Sequence, residues 1–306
     1  MAQGSRSYRM RWVDVFTDRP FAGNPLAVVL SADGLSTEQM QAVARETNLS
    51  ETTFVLPPQT RGHAARVRIF TPHVELPFAG HPTIGTSWVL LTEGLVSADA
   101  PALTLEEGVG PVPVRIERDG TRLVLWMTHP PVKFGAVIEG RAEVAAALRI
   151  TVDELRPNVP LQLVSTGLPF LYVALKDAAA VDAAASRGEA LASVLDSHSR
   201  PPVFLFAATG GNRLYSRMFA PHTDSPLAED PATGSASGPL GAFAVRYGLI
   251  PRAADVAIVS EQGTKMGRQS FVQIKLAYRP ADDLPTQIEV GGSVVPVMTA
   301  ELAVTG

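Results

Sequence analysis

Two segments of the chain, separated by almost half its length, are similar in sequence. They read RIFTPHVELPFAGHPTIGTSWV at residues 68–89 and RMFAPHTDSPLAEDPATGSASG at residues 217–238. At a constant offset of 149, eight residues of the first segment match identical residues of the second: Arg68, Phe70, Pro72, His73, Pro77, Ala79, Pro82 and Gly85. The chain is therefore predicted to contain one structural unit twice, which restricts the fold to two similar halves.

Two shorter matches occur in the same order along the chain and support the duplication. The run FAGNPLAVV at residues 21–29 matches STGLPFLYVAL at residues 165–175 at an offset of 144, through Gly23 with Gly167, Pro25 with Pro169 and the apolar run that follows each proline. The tripeptide EEG at residues 106–108 matches EQG at residues 261–263, at an offset of 155. Duplicated halves commonly face each other about a pseudo-two-fold axis, and interdomain clefts are favoured places for ligands. We therefore expect a binding cleft between equivalent elements.

The length of 306 residues fits two domains, each large enough to bury its own core. The segment THPPVKFG at residues 128–135 has the proline density of a linker. We therefore expect an N-terminal half at residues 1–128 and a C-terminal half at residues 129–288, with the closing strand at residues 289–306 assignable to the N-terminal half.

Local sequence signals predict the elements on either side of one acidic residue, Glu51. Residues 13–30 form two apolar runs separated by a cluster of Pro, Gly and Asn, as in a β-hairpin. Ser36, with a glutamine three residues later, is typical of a helix N-cap, and Asn48 is expected to end that helix. Glu51 then lies at the junction with a strand at residues 52–56, where side chains often reach a cleft from rigid supports. The alternative is a solvated loop carboxylate.

Both copies of the repeated segment contain residues typical of a helix start. In the second copy Asp230 suits an N-cap and Pro231 suits the first helical position. In the first copy His81 precedes Pro82, and the offset of 149 places His81 opposite Asp230. Free N–H groups and the positive end of the helix dipole make each start a potential carboxylate-binding site. The alternatives are an ordinary cap for Asp230 and a buried structural histidine for His81.

The second helix start continues into a segment of small residues, 235–242, that contains Pro239. Each interior glycine costs a helix about 1 kcal/mol relative to alanine, so the surrounding structure has to hold such a helix in place. We expect a central helix enclosed by a curved sheet. The alternative is a glycine-rich loop with no helix beyond Ala236.

The composition excludes several kinds of chemistry. The chain has no cysteine, which excludes disulfides, thiolate zinc sites and cysteine nucleophiles, so proton transfer has to use carboxylates or histidine. The six histidines show no HExxH or similar spacing, and no metal site is expected. The net charge is −4, and no apolar run approaches the roughly 18 residues needed to cross a bilayer. We therefore expect no nucleic-acid or membrane partner and a cytoplasmic location.

Six blocks, distributed over nearly the whole chain, resemble the PhzF-like proteins of phenazine biosynthesis. The blocks are FAGNPLAVV at 21–29, ARETNLSETTFV at 44–55, RIFTPHVELPFAGHPTIGT at 68–86, STGLPFLYVAL at 165–175, EDPATGSASG at 229–238 and EQGTKMGR at 261–268. The resemblance implies an α+β fold similar to that of diaminopimelate epimerase, with two similar halves, each a curved β-sheet or barrel around a central helix. That epimerase uses two cysteines at its helix starts, and the resemblance places His81 and Asp230 near those positions.

The resemblance also implies an isomerase that moves a proton between carbons of a small carboxylated substrate bearing amino or hydroxyl groups, as in the isomerisation of trans-2,3-dihydro-3-hydroxyanthranilate. No cofactor or metal is implied. Glu51 would be the principal acid and base, with His81 and Asp230 assisting proton transfer. The substrate would be bound by four further residues that match the family's motifs: Asn24, Gly80, Gly234 and Ser235. The resemblance likewise implies a homodimer.

Two other functions are compatible with the same residues. An amino-acid epimerase or racemase would use His81 and Asp230 as two bases on opposite faces of the substrate, for which an aspartate is a weak base. A non-catalytic protein that binds small molecules on the same fold is the second alternative. The presence of Glu51 together with His81 and Asp230 favours an enzyme.

Overall fold

The chain divides into two compact units in the computed structural model. The first unit comprises Met1–Met127 and Gly291–Gly306, and the second comprises Thr128–Val290. The residues that the structure describes are 6–120, 122–186, 188–220 and 229–304. Each unit is a mixed β-sheet that packs against its own helices.

The first unit begins with an antiparallel hairpin, which confirms the prediction for residues 13–30. Its elements are β1 (Arg6–Val15), β2 (Asn24–Val29), α1 (Thr37–Thr47), β3 (Thr52–Leu56), β4 (Ala65–Phe70), β5 (Glu75–Leu76), α2 (Gly80–Thr92), β6 (Ala102–Glu107), β7 (Gly110–Asp119) and β8 (Arg122–Thr128). β2 pairs parallel with β3, and β3 pairs antiparallel with β4. β4 pairs antiparallel with β5 and parallel with β6, which continues antiparallel into β7 and β8.

The second unit repeats this series of pairings. Its elements are β9 (Lys133–Ile138), α3 (Arg141–Ala147), β10 (Leu161–Ser165), β11 (Pro169–Ala174), α4 (Ala178–Ala183), α5 (Gly188–Val194), β12 (Val203–Gly210), β13 (Arg213–Phe219), β14 (Glu229–Asp230), α6 (Gly234–Arg246), β15 (Asp255–Gln262), β16 (Ser270–Ala277) and β17 (Gln287–Gly292). β10 and β11 form the hairpin, β11 pairs parallel with β12, and β12 pairs antiparallel with β13. β13 then pairs antiparallel with β14 and parallel with β15, which pairs antiparallel with β16.

The last strand of the chain completes the correspondence between the units. β18 (Val294–Val304) pairs antiparallel with β1 in the first unit, as β9 pairs antiparallel with β10 in the second. The order and direction of the strand pairings therefore agree from the first hairpin to the strand that follows the central helix. The predicted duplication of one structural unit is confirmed.

The offset between the copies changes within the repeated segment, so the prediction of one constant offset is wrong. On the strands, Phe70 corresponds to Phe219, but the residues that pair with them are Glu75 and Glu229, at an offset of 154. α2 and α6 also begin 154 residues apart. The second copy therefore has five more residues between strand and helix, within the segment 220–228. Four of its matched residues lie outside the described residues: Pro221, His222, Pro226 and Ala228.

Both central helices are buried on all sides, which confirms the prediction of an enclosed helix and excludes the loop alternative. All residues of α2 are buried except Trp88 and Thr92, and all of α6 except Ser235 and Arg246. Small residues occur in these helices at the positions where a strand packs closely against them. A Cβ added at Gly85 would lie 2.5 Å from Leu26, and one added at Gly241 would lie 2.8 Å from Ile274. These contacts explain why helices with intrinsically poor formers are stable here.

The connection between the units is shorter than predicted. β9 begins at Lys133, inside the proline-rich segment 128–135, so only the first part of that segment is a loop. The residues around it already belong to the second unit, because the His129 N–H donates to the Ile288 carbonyl. The high proline density marked the end of β8 but not the length of the loop, because β9 starts two residues after Pro131.

Candidate active site

Glu51 lies between the end of α1 and the start of β3, as predicted. α1 begins with a capping box at Ser36 and ends at Asn48, which takes the left-handed backbone conformation (φ 51°) that turns the chain. The hydroxyls of Thr47 and Thr52, on either side of the turn, are 2.7 Å apart. The side chain of Glu51 is 17% exposed. The carboxyl group therefore projects from a short, closed connection between two regular elements.

His81 is the second residue of α2, and its side chain is 5% exposed. Burial lowers the pKa of His81 to about 3, against a smaller opposing effect of a hydrogen bond to the Pro25 backbone. The ring is therefore neutral at pH 7. Proline can offer only its carbonyl, and among the described residues Nε2 has no hydrogen-bond partner. The Pro25 carbonyl therefore accepts from Nδ1–H, which leaves the lone pair on Nε2.

Glu51 and His81 come together at their polar atoms, with Glu51 Oε2 3.5 Å from His81 Nε2. The helix that carries His81 is fixed to the strand that follows Glu51 by a buried hydrogen bond of 2.8 Å between the hydroxyls of Thr53 and Thr86. A neutral imidazole with its lone pair towards a carboxyl group can accept a hydrogen bond from a protonated Glu51 or from a bound ligand. The pair can thus hold one proton close to a ligand without forming an ion pair.

Asn24 and Gly80 border the same part of the first unit. Asn24 is fully buried at the start of β2 and directly precedes Pro25, which binds His81. Gly80 is the buried first residue of α2, whose N-cap has no side-chain hydrogen bond. The first N–H groups of a helix have no acceptor within it, so those of Gly80 and His81 can donate to a ligand.

Asp230 does not cap α6, which corrects the prediction of a helix start at Asp230 and Pro231. α6 begins at Gly234, after the N-cap Thr233, while the backbone of Asp230 pairs with Met218 in β14. The Asp230 carboxylate instead accepts a hydrogen bond of 2.5 Å from the Thr233 hydroxyl. The Asp-Pro signal was misleading because strand pairing, a contact distant in sequence, fixes the backbone at this point.

The residue of α6 that corresponds to His81 of α2 is therefore Ser235, not Asp230. Each is the second residue of its helix, at the offset of 154. A hydrogen bond inside each helix supports this register, because Thr83 donates to the Ala79 carbonyl (2.8 Å) as Ser237 donates to the Thr233 carbonyl (2.9 Å). Ser235 is half-buried and follows the buried Gly234. Both predicted binding residues of the second unit thus lie in the first turn of its central helix.

One acidic residue of the first unit was not assigned a role from the sequence. Glu107 ends β6, is 8% exposed, and contacts the hydroxyl of Thr83 in the first turn of α2 at 2.7 Å. The EEG and EQG match places Gln262 at the equivalent position of the second unit. Gln262 likewise contacts the start of its central helix, through the backbone N–H of Thr233. The EEG and EQG match was visible in the sequence, but its structural role becomes clear only from the buried contacts that the two side chains make with the helix starts.

Within the described part of the chain, His, Asp and Glu side chains form no group of three or more that could hold a metal ion. Over the same residues, no helix is both long and apolar enough to cross a membrane. In the first unit Glu51 lies beside His81, and in the second unit Asp230 accepts a hydrogen bond from the N-cap of α6.

Comparison with known proteins gives matches over nearly the whole chain. A trans-2,3-dihydro-3-hydroxyanthranilate isomerase of Pseudomonas aeruginosa is 37% identical over 281 residues, covering 92% of this chain and 94% of that protein. An uncharacterised isomerase of Clostridium acetobutylicum is 31% identical over 303 residues, covering 97% and 98%. The crystal structure of a PhzF-family phenazine biosynthesis protein of Bacillus anthracis superimposes with a TM-score of 0.89 at 27% identity, covering 98% of this chain and 100% of that one.

The fold extends beyond these relatives. A probable proline racemase of Agrobacterium radiobacter has a TM-score of 0.65 at 14% identity, covering 97% of this chain and 93% of that one, which shows a common fold. The predicted epimerase-like α+β fold is confirmed. The fold and the relatives together define the protein as an isomerase. The phenazine biosynthesis-like family, PhzC-PhzF, matches residues 13–300, and the chain belongs to this family.

Proposed function

We propose that this isomerase moves a proton between two carbons of a small carboxylated substrate that bears amino or hydroxyl groups, and that it uses no cofactor. The isomerisation of trans-2,3-dihydro-3-hydroxyanthranilate, the activity named for the Pseudomonas relative, is the reaction we assign to it. The observation that carries the proposal is the pair formed by Glu51 and His81, a half-buried carboxyl group 3.5 Å from a buried neutral imidazole.

Glu51 is proposed to carry the proton. A single carboxyl group can take a proton from one carbon and return it to another on the same face of the substrate, provided that it is held in place between the two steps. The closed turn between α1 and β3 supplies that restraint through the contact of Thr47 with Thr52. His81, neutral and with its lone pair towards Glu51, is proposed to accept a hydrogen bond from the substrate or from the protonated carboxyl group.

The remaining predicted residues are proposed to bind the substrate. The N–H groups at Gly80 in the first turn of α2, and those at Gly234 and Ser235 in the first turn of α6, are suited to a carboxylate. Asn24 and Asp230 are proposed to orient amino or hydroxyl groups, because amide and carboxylate oxygens accept hydrogen bonds from both. We also propose a cytoplasmic location, as expected from the composition of the chain, and a homodimer, as the resemblance to the family implied; light scattering would measure the assembly.

The experiment incubates the protein with trans-2,3-dihydro-3-hydroxyanthranilate in deuterated water and follows product and deuterium incorporation. Glu51→Gln is expected to lower kcat about 10²- to 10⁴-fold, the usual contribution of a general acid or base. Glu46→Gln makes the same chemical change at an exposed residue of α1 and should retain the wild-type rate. A Glu51→Gln variant with an unchanged rate would refute the role of Glu51.

The same assay separates the alternative functions. An epimerase would exchange the α-proton of an amino acid and lose that exchange on His81→Ala and on Asp230→Ala alike. A binding protein would bind the carboxylate and exchange no proton. The position that corresponds to His81 is occupied by Ser235, whose hydroxyl is a poor base, so the helix starts do not supply two equivalent bases. Isomerisation by one carboxyl group is the better supported reaction.

A further inference from the structure

Glu107 is a buried acid that the proposed reaction does not use. Its Oε1 lies 2.7 Å from the Thr83 hydroxyl, in the first turn of α2. Its Oε2 is buried and has no hydrogen-bond partner among the residues that the structure describes. An ionised carboxylate in this position would leave one charged oxygen without any donor, which is costly in a buried environment.

The hydrogen bonds of Thr83 also bear on the protonation of Glu107. The Thr83 hydroxyl has one hydrogen to donate, and two acceptors lie within hydrogen-bonding distance: the Ala79 carbonyl at 2.8 Å and Glu107 Oε1 at 2.7 Å. If Glu107 carries a proton on Oε1, it donates to Thr83, and Thr83 donates to Ala79. Both short contacts are then good hydrogen bonds, and Oε2 becomes a neutral carbonyl oxygen, which is less costly to leave unpaired.

The second unit contains a comparable contact with an unambiguous donor, made to the N-cap threonine of α6 rather than to a residue inside the helix. Gln262, the equivalent of Glu107, donates from Nε2 to the Thr233 hydroxyl at 3.0 Å, and Thr233 donates to the Asp230 carboxylate at 2.5 Å. An amide is a neutral donor at every pH relevant to proteins. A protonated Glu107 has nearly the same size as this amide and, with its single O–H, can make the same donation to a threonine hydroxyl.

We propose that Glu107 is a neutral carboxylic acid and a positioning residue that fixes the first turn of α2, and hence His81, as Gln262 fixes the start of α6. The inference rests on the proposed function, because His81 is the residue whose place it determines. Glu107 acts through Thr83. Its O–H donates to the Thr83 hydroxyl, which in turn donates to the carbonyl of Ala79, the N-cap residue of α2.

The electrostatics of the two adjacent acids agree with this assignment. Burial raises the pKa of Glu107 to about 7, although the hydrogen bond with Thr83 acts in the opposite direction. The neighbouring Glu106 faces the other side of β6, where the N–H groups of Gln59 and Thr60 donate to it and lower its pKa to about 2. Glu106 is therefore a matched ionised control.

Infrared difference spectroscopy tests the protonation directly and independently of any reaction. At pH 6, the spectrum of the wild type minus that of Glu107→Gln should show the carbonyl-stretch band of a protonated carboxylic acid. The spectrum of the wild type minus that of Glu106→Gln should show only carboxylate bands. Absence of the protonated band from the first spectrum would overturn the proposal, whatever the substrate of the enzyme.

Activity then tests the positioning role. Glu107→Gln keeps the donor and should retain a rate close to that of the wild type, whereas Glu107→Met, of similar length without a donor, should lower kcat roughly tenfold, as expected for a lost hydrogen bond of about 1.4 kcal/mol. Equal loss in both variants would overturn the positioning role. Failure of the proposed function is a different result, seen as an unaffected rate in Glu51→Gln while the infrared band is present.

Discussion

At the scale of single residues, the state of His81 depends on its surroundings more than on its chemistry. An exposed histidine titrates near pH 6.5, but burial lowers the pKa of His81 to about 3. The residue could be chosen from the sequence, because it directly precedes a proline in a repeated motif. Its neutral state and its donor to Pro25 could not, because both depend on burial beneath other elements. The same holds for Glu107, whose position was visible in the EEG match and whose protonation was not.

The neutral state of His81 makes a prediction about pH. Because its pKa is about 3, His81 does not change its charge between pH 5 and pH 8. His81→Gln should therefore lower kcat about tenfold, the effect of one lost hydrogen bond, and leave the shape of the profile of kcat against pH unchanged. The profile of each protein is measured with the same substrate. Loss of an acid limb near pH 6.5 in the variant would show that His81 titrates there and would contradict the prediction.

At the scale of elements, short-range sequence signals predicted the bounds of α1 in the first unit better than they predicted the start of α6 in the second. The capping box at Ser36 and the turn at Asn48 lie within a few residues of the helix that they bound, so sequence alone located α1. The start of α6 depends on Gln262, which is distant in sequence and binds Thr233. The additional residues between β13 and α6 also shifted the register, which a constant offset could not detect.

In each unit an arginine–glutamate pair joins the two ends of the segment that leads into the central helix, and the two pairs differ in burial. Arg217 binds Glu229 in a bidentate pair with side chains 9% and 16% exposed, while Arg68 binds Glu75 with side chains 18% and 40% exposed. Arg217 also donates to the Ala184 carbonyl. The pair in the second unit is therefore the more strongly desolvated.

Glu229→Gln is expected to lower the free energy of unfolding by about 3 kcal/mol, because it leaves the Arg217 charge buried and uncompensated. Glu75→Gln makes the same change in the more exposed pair and should cost less than about 1 kcal/mol. Urea titration followed by circular dichroism measures both. Equal losses in the two variants would show that burial does not distinguish the pairs.

At the scale of the whole molecule, the duplication was readable from three ordered matches, and the series of strand pairings confirms it. Stability towards acid is also a property of the whole molecule, because it sums the protons bound by the folded and unfolded states. Burial lowers the pKa of His129 to about 4 and that of His81 to about 3, both from 6.5. At these two histidines the folded state therefore binds fewer protons than the unfolded state below pH 6.5. Each histidine contributes stability that is present above pH 6.5 and is lost as the pH falls.

His129→Asn should remove part of this acid sensitivity. The wild type is expected to lose about 2 kcal/mol of stability through His129 between pH 7 and pH 5, by linkage over the window from 6.5 towards 4. The variant keeps a polar group that can bind Thr166, as Nδ1 of His129 does at 2.8 Å, and should lose correspondingly less over the same interval. Urea titrations at the two pH values measure the difference.

Comparing the wild type with His129→Asn removes the contributions of the other titrating groups to the pH dependence, because both proteins contain those groups. Glu107 acts in the opposite direction, because its raised pKa of about 7 means that stability is lost as the pH rises above 4.5. That effect is common to the wild type and His129→Asn. An unchanged loss between pH 7 and pH 5 in His129→Asn would contradict the assignment.

The correspondence of His81 with Ser235 has a consequence for the symmetry of the molecule. Each is the second residue of its central helix, and one carries an imidazole where the other carries a hydroxyl. Two identical chains that associate must present the same side chain at both helix starts, so a substitution in one is a substitution in both. Two copies within one chain are free of that restriction, and each helix start can carry a side chain of its own.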